Sequence, residues 1–385
     1  MGALPLPAAR RTRSHSNHPR RRLRTEPSVT HHRHSTIATR GTAPPMTSFS
    51  ALGHNEQLAV LEQSVRAELS RYDIDTDAEM TLQQYEDNAV WRIDTPRQPY
   101  VARLSVRAGR TVPQQKSEMR WLTSLAETEK VAVPSPITTT AGEPVLSLDI
   151  PGHPEEATLA ILHWVPGTAE PDFHNPTNAA GMGAATAHLH HNAATVDIPF
   201  DRPRWNLDTI LTTGATTVNP AAQANLGENG RATLQAIGEQ LRRAMAGHHD
   251  IELRIHGDLH RENMIGMPDG AVGIIDFDDC GWGNPILDIA TVLSSIHRIA
   301  EAPGEYEKFY ATFIDGYSRI VSLPDNFEQL LEPFLVLRDV FVLNFVSEAM
   351  NHNAEVASWG PGRIAGILDS MRHHLDGISY PGTPR

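Results

Sequence analysis

The sequence predicts an α+β fold in two lobes, a small first lobe built on an antiparallel sheet and a larger, mainly helical second lobe. Three observations carry this expectation. Two short runs rich in β-formers, 89–93 and 100–106, flank a Pro-containing turn at 95–99, which is the pattern of antiparallel neighbours. The breaker Val165-Pro166-Gly167 then divides the chain. Beyond it, most segments repeat their apolar residues every three to four positions, the spacing of a helix with one buried face.

Taken in order, residues 1–45 are rich in Arg, His, Ser, Thr and Pro, show no periodicity and are expected to be disordered. A basic nucleic-acid arm and a transit peptide are alternatives for this segment, the second opposed by its Pro content, and Met46 is a candidate natural start. The first lobe covers 46–164. It opens with a helix that places Leu58, Leu61, Val65 and Leu69 on one face. The strands 89–93 and 100–106 follow, then a helix at 114–127, a Pro-punctuated stretch at 131–144, and strands at 145–150 and 157–164. The second lobe covers 165–378, and 379–385 form a tail. Helices are expected at 178–193, 232–246, 286–299, 305–320, 327–350 and 362–374. One region interrupts them: 254–277 holds two apolar stretches joined by the turn Met267-Pro268-Asp269-Gly270.

At 385 residues and 40% apolar content the chain can fill two cores. Its greasiest run, 334–346, carries Arg338 and Asp339 in the middle, so no membrane span is predicted. A single cysteine, Cys280, rules out an intramolecular disulfide framework and a Cys-based metal cluster, and it fits a reducing, cytoplasmic setting. The net charge is −13, and because 1–45 contain nine Arg against the lone acid Glu26, the remainder carries −21. Such a body disfavours nucleic acid and anionic membrane as partners and favours a cationic or neutral small substrate.

The informative run is Ile255-His256-Gly257-Asp258-Leu259-His260-Arg261-Glu262-Asn263, followed by Gly273-Ile274-Ile275-Asp276-Phe277-Asp278-Asp279. Phosphoryl transfer to a hydroxyl requires a carboxylate to take the hydroxyl proton and oxygen ligands to hold Mg²⁺ against the phosphates. Asp258, Asn263 and Asp276 are groups of that kind, although Asp and Asn also cap turns. Four residues separate Asp258 from Asn263, the spacing of the catalytic Asp and metal-binding Asn of protein kinases, whose second metal-binding Asp opens a later Asp-Phe-Gly.

On these residues the chain resembles the aminoglycoside phosphotransferase superfamily, whose relatives include choline, homoserine, hydroxylysine and methylthioribose kinases. The resemblance covers about residues 79–300 and implies a bilobal protein-kinase-like fold. It also implies ATP as donor, Asp258 as base, Asn263 and Asp276 as Mg²⁺ ligands, and His256 as a brace of the loop. Asp278 stands where protein kinases have Gly, and it reads equally as a contact to metal or substrate and as a cap. Asp288, in Pro285-Ile286-Leu287-Asp288, matches a family aspartate that braces the catalytic loop.

In the first lobe, Val101-Ala102-Arg103 followed by Glu118 resembles the family's basic strand residue paired with a helical Glu, with Arg103 in place of Lys. Glu118 shares a helical face with Leu122 and Leu125, so an inward carboxylate needs a cation; a surface Arg and a solvated Glu form the alternative. The segment Tyr85-Glu86-Asp87-Asn88-Ala89 sits where a phosphate-covering loop belongs but has no glycine, and an ordinary hairpin turn accounts for it equally. Trp164 and Val165 resemble the hinge whose backbone holds adenine. The cluster His188-Leu189-His190-His191 reads as a helix with partly exposed histidines and receives no metal. Asp201-Arg202-Pro203-Arg204-Trp205-Asn206 reads either as a border of the acceptor pocket or as a loop with a packed Trp.

The sequence therefore predicts an ATP- and Mg²⁺-dependent phosphotransferase acting on a hydroxyl of an amino alcohol, a sugar or an aminoglycoside-type antibiotic, with a cationic acceptor favoured by the acidic body. A protein Ser/Thr kinase is the alternative, weakened because no Ala-Pro-Glu segment follows Asp276. A catalytically silent nucleotide-binding module is another, suggested by Arg103 and the glycine-free loop.

Overall fold

The computed structural model describes residues 48–85, 88–106, 110–248, 251–351 and 353–384. The expectation for 1–45 lies outside these residues, as do Glu86 and Asp87 of the proposed phosphate-covering loop.

Helix α1 (His54–Glu68) starts where Glu56 folds back to accept the Gly53 N–H at 2.8 Å, which satisfies one donor of the first turn. It buries Leu61 and Val65. Strands β1 (Glu79–Tyr85), β2 (Asn88–Asp94) and β3 (Tyr100–Ser105) form a meander. Helix α2 (Val112–Glu127) follows, capped by the Thr111 side chain, which accepts from the Gln114 N–H. Strands β4 (Pro136–Ile137), β5 (Leu146–Asp149) and β6 (Glu156–His163) complete one antiparallel sheet in the order β1-β2-β3-β6-β4, with β5 also on β6. Strand β1 was absent from the sequence expectation. It is an edge strand with a bulge between Leu82 and Gln84 and little burial, so it carries no alternating apolar pattern to read.

Alternation along the strands decides what each face of this sheet meets. Ala102 and Leu104 of β3, Leu159 and Ile161 of β6, and Trp91 and Ile93 of β2 pack with Leu61 and Val65 of α1 in one core. Fully burying each Leu or Ile there contributes about 2 kcal/mol. The intervening positions, Arg103 and its cross-strand neighbour Ala160, point to the opposite face. Ala160 and Leu162 join Met119, Leu122 and Leu125 of α2 in a second core, continuous with the helical lobe. The same two-residue period that buries Leu104 therefore sends Arg103 toward α2.

After His163 the chain leaves this sheet, and the short β7 (Thr168–Ala169) pairs instead within the second lobe. Helix α3 (Pro176–Thr195) leads to β8 (Arg204–Trp205), α4 (Leu207–Thr213), α5 (Ala215–Val218) and α6 (Pro220–Met245). Helix α6 is kinked at Gly227, whose φ is 67°, and it begins well before the expected 232 because Asn219 caps an earlier turn. Strands β9 (Leu253–Ile255), β10 (Met264–Gly266), β11 (Val272–Ile274) and β12 (Gly281–Gly283) build two small sheets, β11-β10-β7 and β8-β12-β9. Helices α7 (Pro285–His297), α8 (Glu305–Ser318), α9 (Phe327–Ala349) and α10 (Ala354–Leu375) close the lobe. Helix α10 runs through Gly360-Pro361-Gly362, where the sequence predicts a start at 362. A Cβ on Gly360 would lie 2.7 Å from Met350, so close packing against the end of α9 explains the glycine better than a helix boundary does. No described helix is long and apolar enough to cross a membrane.

Candidate active site

Strand β9 delivers His256-Gly257-Asp258 into the junction of the lobes. Gly257 has φ 83°, and a Cβ there would lie 2.5 Å from the Asp279 carbonyl oxygen, so this backbone conformation and close approach both require glycine. The fully buried Asp288, in the first turn of α7, accepts the N–H groups of His256 at 2.8 Å and Gly257 at 2.9 Å. His190 lies 3.2 Å from the same carboxylate and 2.9 Å from the Tyr317 hydroxyl, so this member of the histidine cluster is a packed support. His256 accepts the Asp258 N–H at Nδ1 (3.3 Å), which leaves Nε2 to donate to the Ile275 carbonyl at 2.9 Å. Burial holds the His256 imidazole below its ordinary range, against the pull of Asp288, and keeps it the neutral tautomer those bonds need.

Asp258 is held at both oxygens. Oδ1 accepts from Arg338 Nη2 at 2.7 Å, and Oδ2 lies 3.4 Å from His260 Nε2. Burial works to raise the Asp258 carboxyl, but His260 and Arg338 outweigh it and hold the group well below the usual carboxylate range. For His260 burial works downward, yet Asp258 and Glu262, 2.7 Å from Nδ1, push the imidazole up to about 9. Sequence reasoning gave no role to His260 or Arg338. The available signal was the charge of Arg338 inside the apolar run 334–346, because a cation in such a helix requires a partner.

Asn263 uses Nδ2 to donate to the Asp258 carbonyl at 3.0 Å, which leaves Oδ1 as the group for a cation. Asp276 is a non-glycine residue in the left-handed region, φ 62° and ψ 63°, a local strain of the kind that persists at functional sites. Burial and the neighbouring Asp278 push its carboxyl up to about 7, while Arg103 pulls the other way. Asp278 Oδ1 is buried without a hydrogen-bond partner among the described residues. No group of three or more His, Cys, Asp or Glu among those residues is placed to hold a metal. The donor set of one amide oxygen and two crowded carboxylates nevertheless fits Mg²⁺, which takes few protein ligands and completes its shell with phosphate and water.

The first lobe meets this site through Arg103. It donates from Nη1 and Nη2 to the two Glu118 oxygens at 2.7 and 2.9 Å, and both residues are buried. Burial opposes the charge on Arg103, but Glu118, Asp278 and Asp276 hold the guanidinium above its ordinary value. Asn88 opens β2 and accepts from the Ser105 hydroxyl. Trp164 lies under the Arg92 guanidinium, 4.8 Å from ring centroid to carbon, and Val165 is buried against Gly273. Two arginines tie the lobes, Arg110, to which the sequence assigned no role, and Arg202. Arg110 donates to the Asp278 carbonyl at 3.1 Å and to Asp279 Oδ1 at 2.9 Å. Arg202 is buried beneath the same loop, donating to the carbonyls of Cys280 at 2.9 Å and of Asp278, with Glu118 at 3.8 Å. Trp205 donates to the Asp279 carbonyl at 2.6 Å and packs on Phe341. Arg202 and Trp205 thus buttress the 276–279 loop, and of the two readings of 201–206 the packed Trp on a loop is the one observed; none of these residues lines the cleft beside Asp258. The cleft beside Asp258, about 630 Å³ including its open mouth, is walled by α7, α9 and α10.

The family model described as "Phosphotransferase enzyme family" matches residues 81–326. The amicoumacin kinase of Bacillus subtilis (strain 168) is 24% identical over 303 residues, 76% of this chain and 87% of that protein. Among solved structures, a microcompartment-associated aminopropanol kinase superposes with TM-score 0.69 at 23% identity, covering 83% of this chain and 98% of that one. The amicoumacin kinase hAmiN in complex with AMP-PNP, Ca²⁺ and Ami gives TM-score 0.66 at 20% identity, covering 82% and 96%. These structures share the kinase-like architecture described above. The matched span takes in both the sheet that carries Arg103 and the loop that carries Asp258, and the chain belongs to the phosphotransferase enzyme family.

Proposed function

We propose that the protein transfers the γ-phosphoryl group of ATP to a hydroxyl of a small molecule, with Asp258 receiving the hydroxyl proton. The observation that carries this reading is Asp258 itself, an ionised carboxylate held at both oxygens at the mouth of a cleft and five residues before Asn263. Arg338 and His260 orient the carboxylate, and Asp288 fixes the backbone that presents it. A carboxylate held so low is a weak base. Its contribution is to aim the acceptor oxygen and to take the proton late, which suits a loose phosphoryl-transfer transition state. The new acceptor O–P bond forms as the β,γ-bridging P–O bond breaks, the hydroxyl proton passes to Asp258, and ADP leaves.

Arg103, charged and locked by Glu118, would contact the donor phosphates, and Asn263, Asp276 and Asp278 would hold Mg²⁺. When bound, that cation neutralises charge on the phosphate oxygens. Trp164 and Val165 lie where the chain passes between lobes and are proposed to border the adenine. The relatives named for amicoumacin and aminopropanol act on small molecules, which supports that acceptor class over a protein Ser/Thr. The test is Mg²⁺-dependent ADP release by the full chain across amino alcohols, sugars, aminoglycosides and other hydroxylated compounds. Stimulation by one acceptor class is expected; ATP binding with no stimulated release across the panel would sink the reading.

A further inference from the structure

We propose that the acceptor carries an anionic group, a carboxylate or a phosphate ester, beside the hydroxyl that is phosphorylated. The inference rests on the kinase reading above and names the substrate class of the same cleft. Three helices build the wall, each through residues spaced to share one face. Helix α9 contributes Arg338, Phe341 and Phe345. Helix α7 contributes Thr291, Ser295 and, in the turn after its end, Arg298. Helix α10 contributes Trp359 and Arg363. Three guanidinium groups therefore face a space whose sole lining acid among the described residues is Asp258.

The acids behind this wall are already engaged. Asp339 sits 3.1 Å from Arg363 and accepts the Tyr380 hydroxyl at 2.7 Å, and Glu262 is paired with His260. Capacity to bind an anion remains. Arg338 uses Nη2 on Asp258 and lies over the Phe341 ring at 5.2 Å, while its buried Nη1 has no hydrogen-bond partner among the described residues. The Arg298 guanidinium makes no hydrogen bond among those residues and lies within electrostatic reach of Arg363 and Arg338 and, with the opposite sign, of Glu262 and Asp339, whose carboxylates are already bonded to His260 and to Arg363 and Tyr380. Like charges gathered this closely repel, and an anionic ligand offers each the charge-assisted hydrogen bonds that its fork is shaped to make. No described residue of the first lobe lines the cleft, which separates this wall from Arg103, the proposed contact to the donor phosphates. The acidic surface of the chain favours cations at a distance, but salt screens it beyond about 8 Å, and the wall decides what docks. Phe341, Phe345 and Trp359 leave an apolar face for the rest of the ligand.

The test uses acceptor sets in which one hydroxylated scaffold, alkyl, sugar or aryl, carries in turn a carboxylate, a phosphate ester, a carboxamide or an ammonium group. Acceptor-dependent ADP formation by the full chain is measured for every member. The carboxylate or the phosphate ester should exceed its amide and ammonium counterparts by about tenfold or more in kcat/KM, the size of one or two charge-assisted hydrogen bonds, and the better of the two anions identifies the group. R298Q should shrink that gap. Preference for ammonium, or indifference to charge, overturns the inference and leaves the kinase reading standing. An anion preference that R298Q does not shrink removes it from this wall. ATP binding without ADP formation from any set defeats the kinase reading, and the inference with it.

Discussion

Two differently built regions meet at Asp258, the proposed catalytic loop and the proposed acceptor wall. The loop is assembled from neighbours: His256, Gly257, Asp258, His260 and Asn263 lie within eight positions and bond largely to one another and to Asp288. The wall is assembled from strangers, since Arg298, Arg338 and Arg363 come from separate helices and meet only because α7, α9 and α10 pack together. The loop is tightly bonded, with His256, Asp258 and His260 each engaged through two side-chain atoms. The wall keeps unpaired hydrogen-bonding capacity. Chemistry common to many substrates belongs in the rigid part, and the choice of substrate belongs in the part left open for a ligand.

The contrast can be broken or sharpened by substitution. Asp258→Asn should lower turnover roughly 10²- to 10⁴-fold with nucleotide affinity nearly retained, read by ADP formation and nucleotide titration; near-wild-type turnover would take Asp258 out of its role. Arg103→Met leaves the buried Glu118 with Arg202 alone, 3.8 Å away and without a hydrogen bond to it, and should cost about 3 kcal/mol in urea unfolding. Adding Glu118→Leu should recover much of that loss, and a double variant as unstable as the single would deny the pairing. Gly257→Ala, forced into φ 83° against the Asp279 carbonyl, should cost about 1–3 kcal/mol and depress turnover too. In the wall, Trp359→Ala should act differently, raising acceptor KM about tenfold with kcat largely kept, as loss of uniform binding does; a fall in kcat alone would blur the contrast.

The smallest effect concerns pH. Burial would lower His260, but Asp258 and Glu262 raise it from 6.5 to about 9 in the folded protein. A raised value means that this stabilisation is complete below the unfolded pKa of 6.5 and is lost as pH climbs through about 9. Between neutral pH and about 10, the wild-type Tm should therefore fall a few degrees more than that of His260→Gln. Parallel curves would contradict it.

What could be read from the sequence follows the same division. The helices with clean three-to-four spacing and the strands 89–93, 100–106 and 157–164 were legible because each buries a regular face. The edge strand β1 was not, since its side chains stay largely exposed and leave no pattern. Asp258, Asn263 and Asp276 stand in one short stretch whose spacing itself carries meaning. Arg202, Arg110 and Arg338 reach the site across 76, 168 and 80 positions, through contacts that only folding creates. The acidic composition pointed to a cationic ligand because net charge averages the whole surface, whereas the wall is a local excess of the opposite sign.

The central claim is phosphoryl transfer to a small-molecule hydroxyl, and the most direct measurement follows the phosphorus. The full chain is incubated with Mg²⁺, γ-labelled ATP and the acceptor that best stimulates ADP release, and the label is located. The account predicts one phosphate ester on the acceptor hydroxyl for each ADP formed. Label found only as inorganic phosphate, or on the protein itself, would contradict it.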